Sequence, residues 1–96
     1  MNDNYVNYEM LENAKNTYQK KADEIQTIIQ AIVSQNGELY PNGWKNMTAA
    51  KFVERFNSDY KPSLEKVVRE LNDIATFIGN YSANRQEEDS VSSSAI

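Results

Sequence analysis

The chain contains no cysteine, so neither a disulfide framework nor thiolate chemistry is open to it. It contains no histidine, which removes the commonest general base and the commonest metal ligand. Glycine is scarce, three in 96 residues and none clustered, so no glycine loop exists to cradle a phosphate. No apolar run approaches the roughly 18–20 residues that cross a bilayer, which argues against stable membrane insertion. Positive charge is in the minority, ten Lys and Arg against fourteen Asp and Glu, for a net charge of −4. Affinity for nucleic acid comes mainly from clustered Lys and Arg, so a nucleic-acid partner is not expected. The first residues, MNDNYVNYEMLENAK, lack the basic and apolar regions of a cleaved export signal. No acidic pair stands in an apolar setting that would tune it for acid–base work. No catalytic residue, cofactor site or metal site is therefore expected.

What is present is helical periodicity. Leu11, Tyr18, Ile25, Ile32 and Leu39 recur every seven residues, with Ala14, Ala22, Ile28 and Ile29 at the three- and four-residue offsets between them. This is the apolar seam of an amphipathic helix over about 8–40. Asn7 is a suitable N-cap and Glu9 stands in the first turn, where the helix dipole favours an anion. Pro41 disfavours helical geometry in the residue before it and ends the run. Lys21 falls on or beside the seam, with its aliphatic stem along the surface and its ammonium in water.

A second seam comprises Phe52, Phe56, Tyr60, Leu64, Val67, Leu71, Ile74, Ile78 and Tyr81, predicting a second helix over about 47–81. Its early steps of four drift relative to the later heptad pattern, as when a coiled-coil register stutters. Pro62 lies at the drift and removes the bond to the Ser58 carbonyl, which predicts a kink over 58–62. Four-residue pairs such as Lys61/Glu65, Glu65/Arg69 and Lys66/Glu70 mark a solvated face. From Ala83 the sequence reads ANRQEEDSVSSSAI, too poor in bulk to offset ordering entropy, so residues 83–96 are expected to form a flexible tail.

A short connection at 41–46 makes the two helices antiparallel neighbours, and the predicted fold is all-α, a helical hairpin over residues 1–82. Both seams are wider than one helix partner can cover, as at Ile28/Ile29, Val67/Val68 and Phe77/Ile78. Two hairpins paired into a four-helix bundle would bury the surplus. The helix-packing and dimer residues expected are thus Leu11, Tyr18, Ile25, Ile28, Ile32, Leu39, Phe52, Phe56, Tyr60, Leu64, Val67, Leu71, Ile74 and Ile78.

The connection carries the only tryptophan. An indole there can fold back over the gap between the helix ends and seal the core. Asn46 suits the start of the second helix, as an N-cap or as a glycine-like backbone position. Two long helices around a turn reading Trp44-Lys45-Asn46, followed by small residues and then Phe52, resemble the WXG-100 (ESAT-6-like) family of type VII secretion. The resemblance covers almost the whole chain, with Asn46 where the family has glycine. The family's tryptophan corresponds to Trp44.

The family also carries a Tyr-Xaa-Xaa-Xaa-Asp/Glu export element after the second helix. Tyr81 occupies its first position, but Arg85 stands four residues on, with Glu87 and Glu88 later. Tyr8 with Glu12 and Tyr5 with Glu9 have the spacing at the other end of the hairpin. The resemblance implies a non-enzymatic protein exported by a membrane ATPase-driven machine, without a cleaved signal, as a homodimer or with a related hairpin protein. It would be cytoplasmic before export and extracellular afterwards. A targeting chaperone for a larger toxin, or an intracellular helical adaptor, are the alternative functions.

Overall fold

The computed structural model describes residues 5–95, those beyond Asp89 by their backbone alone. Three helices follow in order: α1 over Tyr8–Glu38, α2 over Met47–Arg55 and α3 over Lys61–Ala95. α1 and α3 pack antiparallel along their length, and α2 continues the line of α3 toward the turn. The result is a rod of 74 × 23 × 17 Å, the all-α hairpin that the two seams predict.

The starts of α1 and α2 are each built by asparagine. The Asn7 side chain accepts from the Met10 backbone N–H at 3.0 Å, and Asn46 accepts from Ala49 N–H at 2.8 Å. Each satisfies a donor that the first helical turn leaves without an intrahelical partner. α1 stops where expected: Tyr40, ahead of Pro41, is extended at φ −110° and ψ 124°.

The kink expected at Pro62 takes a specific form. Over Phe56–Tyr60 the backbone makes a π turn, and the Lys61 N–H donates to the Phe56 carbonyl five residues back. Pro62 has no N–H for the Ser58 carbonyl, and its ring crowds that carbonyl; a wider turn relieves both. The π turn also inserts one residue into the seam. The inward side chains run Ala49, Val53, Phe56, then Lys61, Leu64 and Val68, skipping the exposed Tyr60. The drift read as a stutter is this extra residue.

Two rows seven residues apart form the centre of the hairpin: Ala22, Ile29 and Asn36 on α1, and Val68, Ala75 and Ser82 on α3. Ile29 is the one large side chain fully buried among the described residues. The remaining buried apolar side chains are Ala22, Ala49, Phe56 and Ala75. Small residues let the helix backbones approach closely, but they remove little apolar area from water. Among the described residues, two buried positions are polar. The Ser82 hydroxyl accepts from Gln86 Nε2 at 3.1 Å, whereas Asn36 Nδ2 has no hydrogen-bond partner. A single-chain core of this size is thin for 96 residues.

Lysine meets the seam at Lys15 rather than at Lys21. The Lys15 stem lies over Gly79, where an added Cβ would stand 3.2 Å from Cδ, and its ammonium reaches Glu12 at 3.2 Å. Lys21 is exposed and bonds Glu24 at 3.1 Å. Of the predicted four-residue pairs, Lys66–Glu70 forms an ion pair at 3.8 Å.

The tail reading needs correction. Instead of ending at Tyr81, α3 runs helically to Ala95, and Ile96 lies outside the described residues. No glycine or proline after Gly79 interrupts the helix. As far as Asp89 the extension is also joined to α1: the Tyr8 hydroxyl donates to the Asp89 carboxylate, which pairs within its own helix with Arg85 at 3.5 Å. Composition alone misses such a contact between the start of α1 and the end of α3.

Candidate interaction surfaces at the turn and along α3

The turn is closed by the Trp44 backbone, whose N–H donates to the Leu39 carbonyl at 2.8 Å. The half-buried indole rests on Phe52, one turn into α2, with ring centroids 5.9 Å apart and planes tilted by 45°. An offset, tilted pair of this kind is favourable beyond its buried area. Phe52 is itself 45% exposed, so the two rings form an aromatic platform on the outside of the turn. The Phe52 ring is thus the aromatic partner of the indole at the turn.

Asn46 resolves between its two readings as a cap. Its backbone is extended, at φ −158° and ψ −179°, and no non-glycine residue among those described has a positive φ. A position that needs an extended backbone and an N-cap accepts asparagine or glycine, and asparagine supplies the side-chain acceptor. Asn46→Ala is therefore expected to destabilise the protein by about 1 kcal/mol, and Asn46→Gly by only a few tenths. Chemical denaturation of the two variants side by side checks this. Equal losses would mean that the cap bond contributes nothing.

Along α3 the predicted seam divides between two faces. Phe56 is buried, and Leu64, Leu71 and Ile78 are half-buried against α1. On α1, Leu11, Tyr18, Ile25, Ile32 and Leu39 are half-buried too. Tyr60, Val67, Ile74 and Tyr81 lie exposed in a row at seven-residue spacing, with Phe77 70% exposed beside them. Ile28 is exposed on α1. The hairpin thus uses one side of its apolar stripe and leaves the other uncovered. Hydrophobic scanning named the exposed residues but missed Val53, Asn36, Ala75 and Ser82, which lie inside. The missed signal was the seven-residue row itself, carried partly by small and polar side chains.

At the far end of the rod, Tyr81 sits within α3 rather than at its end, and it is exposed. Arg85 is half-buried and turned to Asp89, while Glu87 and Glu88 face solvent. The phenol of Tyr8 is held above its usual pKa, first by its hydrogen bond to the Asp89 carboxylate, which ionisation would break. Tyr81 and Arg85 do not form an acid-bearing pair, and the residues that meet here are Tyr8, Arg85 and Asp89. Among the described residues no group of three potential metal-binding side chains comes together. No described helix is long and apolar enough to cross a membrane.

No curated protein and no solved structure matches the chain. A family model does, over residues 5–90: WXG100, described as proteins of 100 residues with WXG. The matched span takes in both capped helices, the Trp44 turn and the Tyr8–Asp89 contact that holds the end of α3. With nearly all of its length covered by that model, and Asn46 capping α2 where the motif has glycine, the chain belongs to the WXG100 family.

Proposed function

We propose that this protein is a non-enzymatic substrate of a type VII secretion machine, exported without a cleaved signal as a dimer or with a related hairpin partner. The observation that carries the reading is family membership across residues 5–90, since the family is associated with small secreted proteins of type VII systems. The uncovered row on α3 supports the dimeric part, because a thin core beside exposed apolar side chains is the expected state of one half of an assembly. The Trp44–Phe52 platform is the surface offered to the export ATPase, and Tyr81 with the acidic residues beyond it is the second candidate contact.

Cell and medium fractions, compared with and without the export ATPase, test the proposal. Appearance in the medium only when the ATPase is present supports it; protein confined to the cells under expressing conditions overturns it in favour of an intracellular adaptor. Trp44→Ala is expected to abolish export while leaving helical circular dichroism near that of the parent. Unimpaired export of this variant would remove the platform from the recognition surface.

A further inference from the structure

We propose that the turn-bearing end of the rod, residues 37–60, opens as a unit while α1 and α3 stay packed behind it. The hinge lies where Asn36 and Gly37 face the π turn. Opening of this kind is a property of the hairpin and independent of the export reading above.

Both rods are weak at one level. A groove lined by Val33 and Ser34 of α1 and by Lys61 and Glu65 of α3 fixes which residues lie opposite each other. Just beyond it toward the turn, Asn36 and Gly37 stand level with the π turn at Phe56–Tyr60. There the standard winding is already interrupted, and Pro62 supplies no N–H to the carbonyls before it. On α1, a Cβ added at Gly37 would meet nothing within 4 Å, so no close approach calls for glycine. Its effect is to weaken the last turn of α1 relative to alanine.

Between these two weak points lies a polar side chain instead of an apolar one. Asn36 is 8% exposed and its Nδ2 has no partner, so closing the hairpin strips this amide of water without replacement. Opening returns it to water. The interior also changes character here. Toward the open end, α1 and α3 approach closely around Ala22, Ile29 and Ala75. Toward the turn, α2 closes mainly on the turn and the π segment, and its backbone stands further from α1. Phe56 and Ala49 are the buried apolar side chains on that side. Few buried apolar contacts beside a desolvated amide give a segment a low free energy of opening. The Trp44–Phe52 pair lies wholly inside the moving part and travels intact, whereas Phe56 is uncovered.

Native-state hydrogen exchange of the full chain, read residue by residue, tests the proposal on the parent, Ile29→Val and Asn36→Leu. In the parent, amides of α2 should exchange at least about tenfold faster than those around Ile29 and Ala75. Ile29→Val weakens only the part that stays closed. It should speed exchange around Ile29 and Ala75 several-fold and leave α2 unchanged. Asn36→Leu removes the stranded amide from α1 and should slow exchange in α2, across the hairpin, by about tenfold. Gly37→Ala fits without contact and serves as a second variant, with a slowing of a few-fold. Equal acceleration of both regions by Ile29→Val overturns the proposal, because the hairpin would then open only as a whole. Exchange in α2 that neither Asn36→Leu nor Gly37→Ala slows overturns it too, since α2 would then fray without parting from α1.

Discussion

Ile29→Ala is expected to lower the thermal midpoint by well over 10 °C, the largest loss for any single truncation in α1. Ile29 is 1% exposed and is the sole large side chain fully withdrawn from water among the described residues. Truncating a buried isoleucine to alanine destabilises by about 2–5 kcal/mol, through lost transfer energy and the cavity left behind. In a domain of this size each 1 kcal/mol moves the midpoint by roughly 4–8 °C. The adjacent Ile28 is 55% exposed, so Ile28→Ala tests the contrast within one helical turn. Its effect should be a fraction of that at Ile29, and its larger part should appear in dimer affinity. Melting curves followed by circular dichroism at fixed protein concentration compare the two. Similar midpoints for Ile29→Ala and the parent would mean that stability resides outside the α1–α3 contact.

The second large effect is on assembly. The pair Val67→Glu with Ile74→Glu places charge in the middle of the uncovered row without touching the side chains that α1 covers. In an isolated hairpin both positions face water, and exposed substitutions of this kind usually change stability by no more than about 0.5 kcal/mol. In a docked pair, four carboxylates would have to leave water together, each at an effective penalty of several kcal/mol. Every 1.4 kcal/mol is a tenfold change in affinity, so association should weaken by more than about 100-fold. Sedimentation across a dilution series should then give monomer throughout, with a midpoint that no longer rises with concentration. Unchanged sedimentation would remove the row from any interface.

Much of this architecture can be read from the sequence because its determinants are local. Asn7 and Asn46 are helix starts by residue type, and both hold the bonds expected of them. Pro41 and Trp44 place the turn, and the heptad of Leu11, Tyr18, Ile25, Ile32 and Leu39 gives α1 its facing side. The misreadings have equally specific causes. Phe52, Phe56, Tyr60 and Leu64 look like one seam at steps of four, yet Tyr60 is left exposed between the covered Phe56 and Leu64, because a π turn depends on backbone bonding that no apolar pattern records. Asn36 and Ser82 are inside the hairpin because their row carries them there, although a scan for bulk passes over both. The end of α3 looks too polar to be ordered; its anchor, Tyr8 to Asp89, joins residues 81 apart in sequence and becomes visible only once the rods are laid side by side.

The π turn has one more consequence. An ordinary helix advances each side chain by about 100°, so losing or gaining one residue swings everything downstream to another compass bearing. A stretch already wound one residue loose behaves like a slip joint: shortening it by one restores standard winding locally and leaves the bearings of α2 and α3 unchanged. The rod can therefore keep its sides through the loss of one residue between Phe56 and Tyr60, a loss that would scramble them if it fell anywhere within α3.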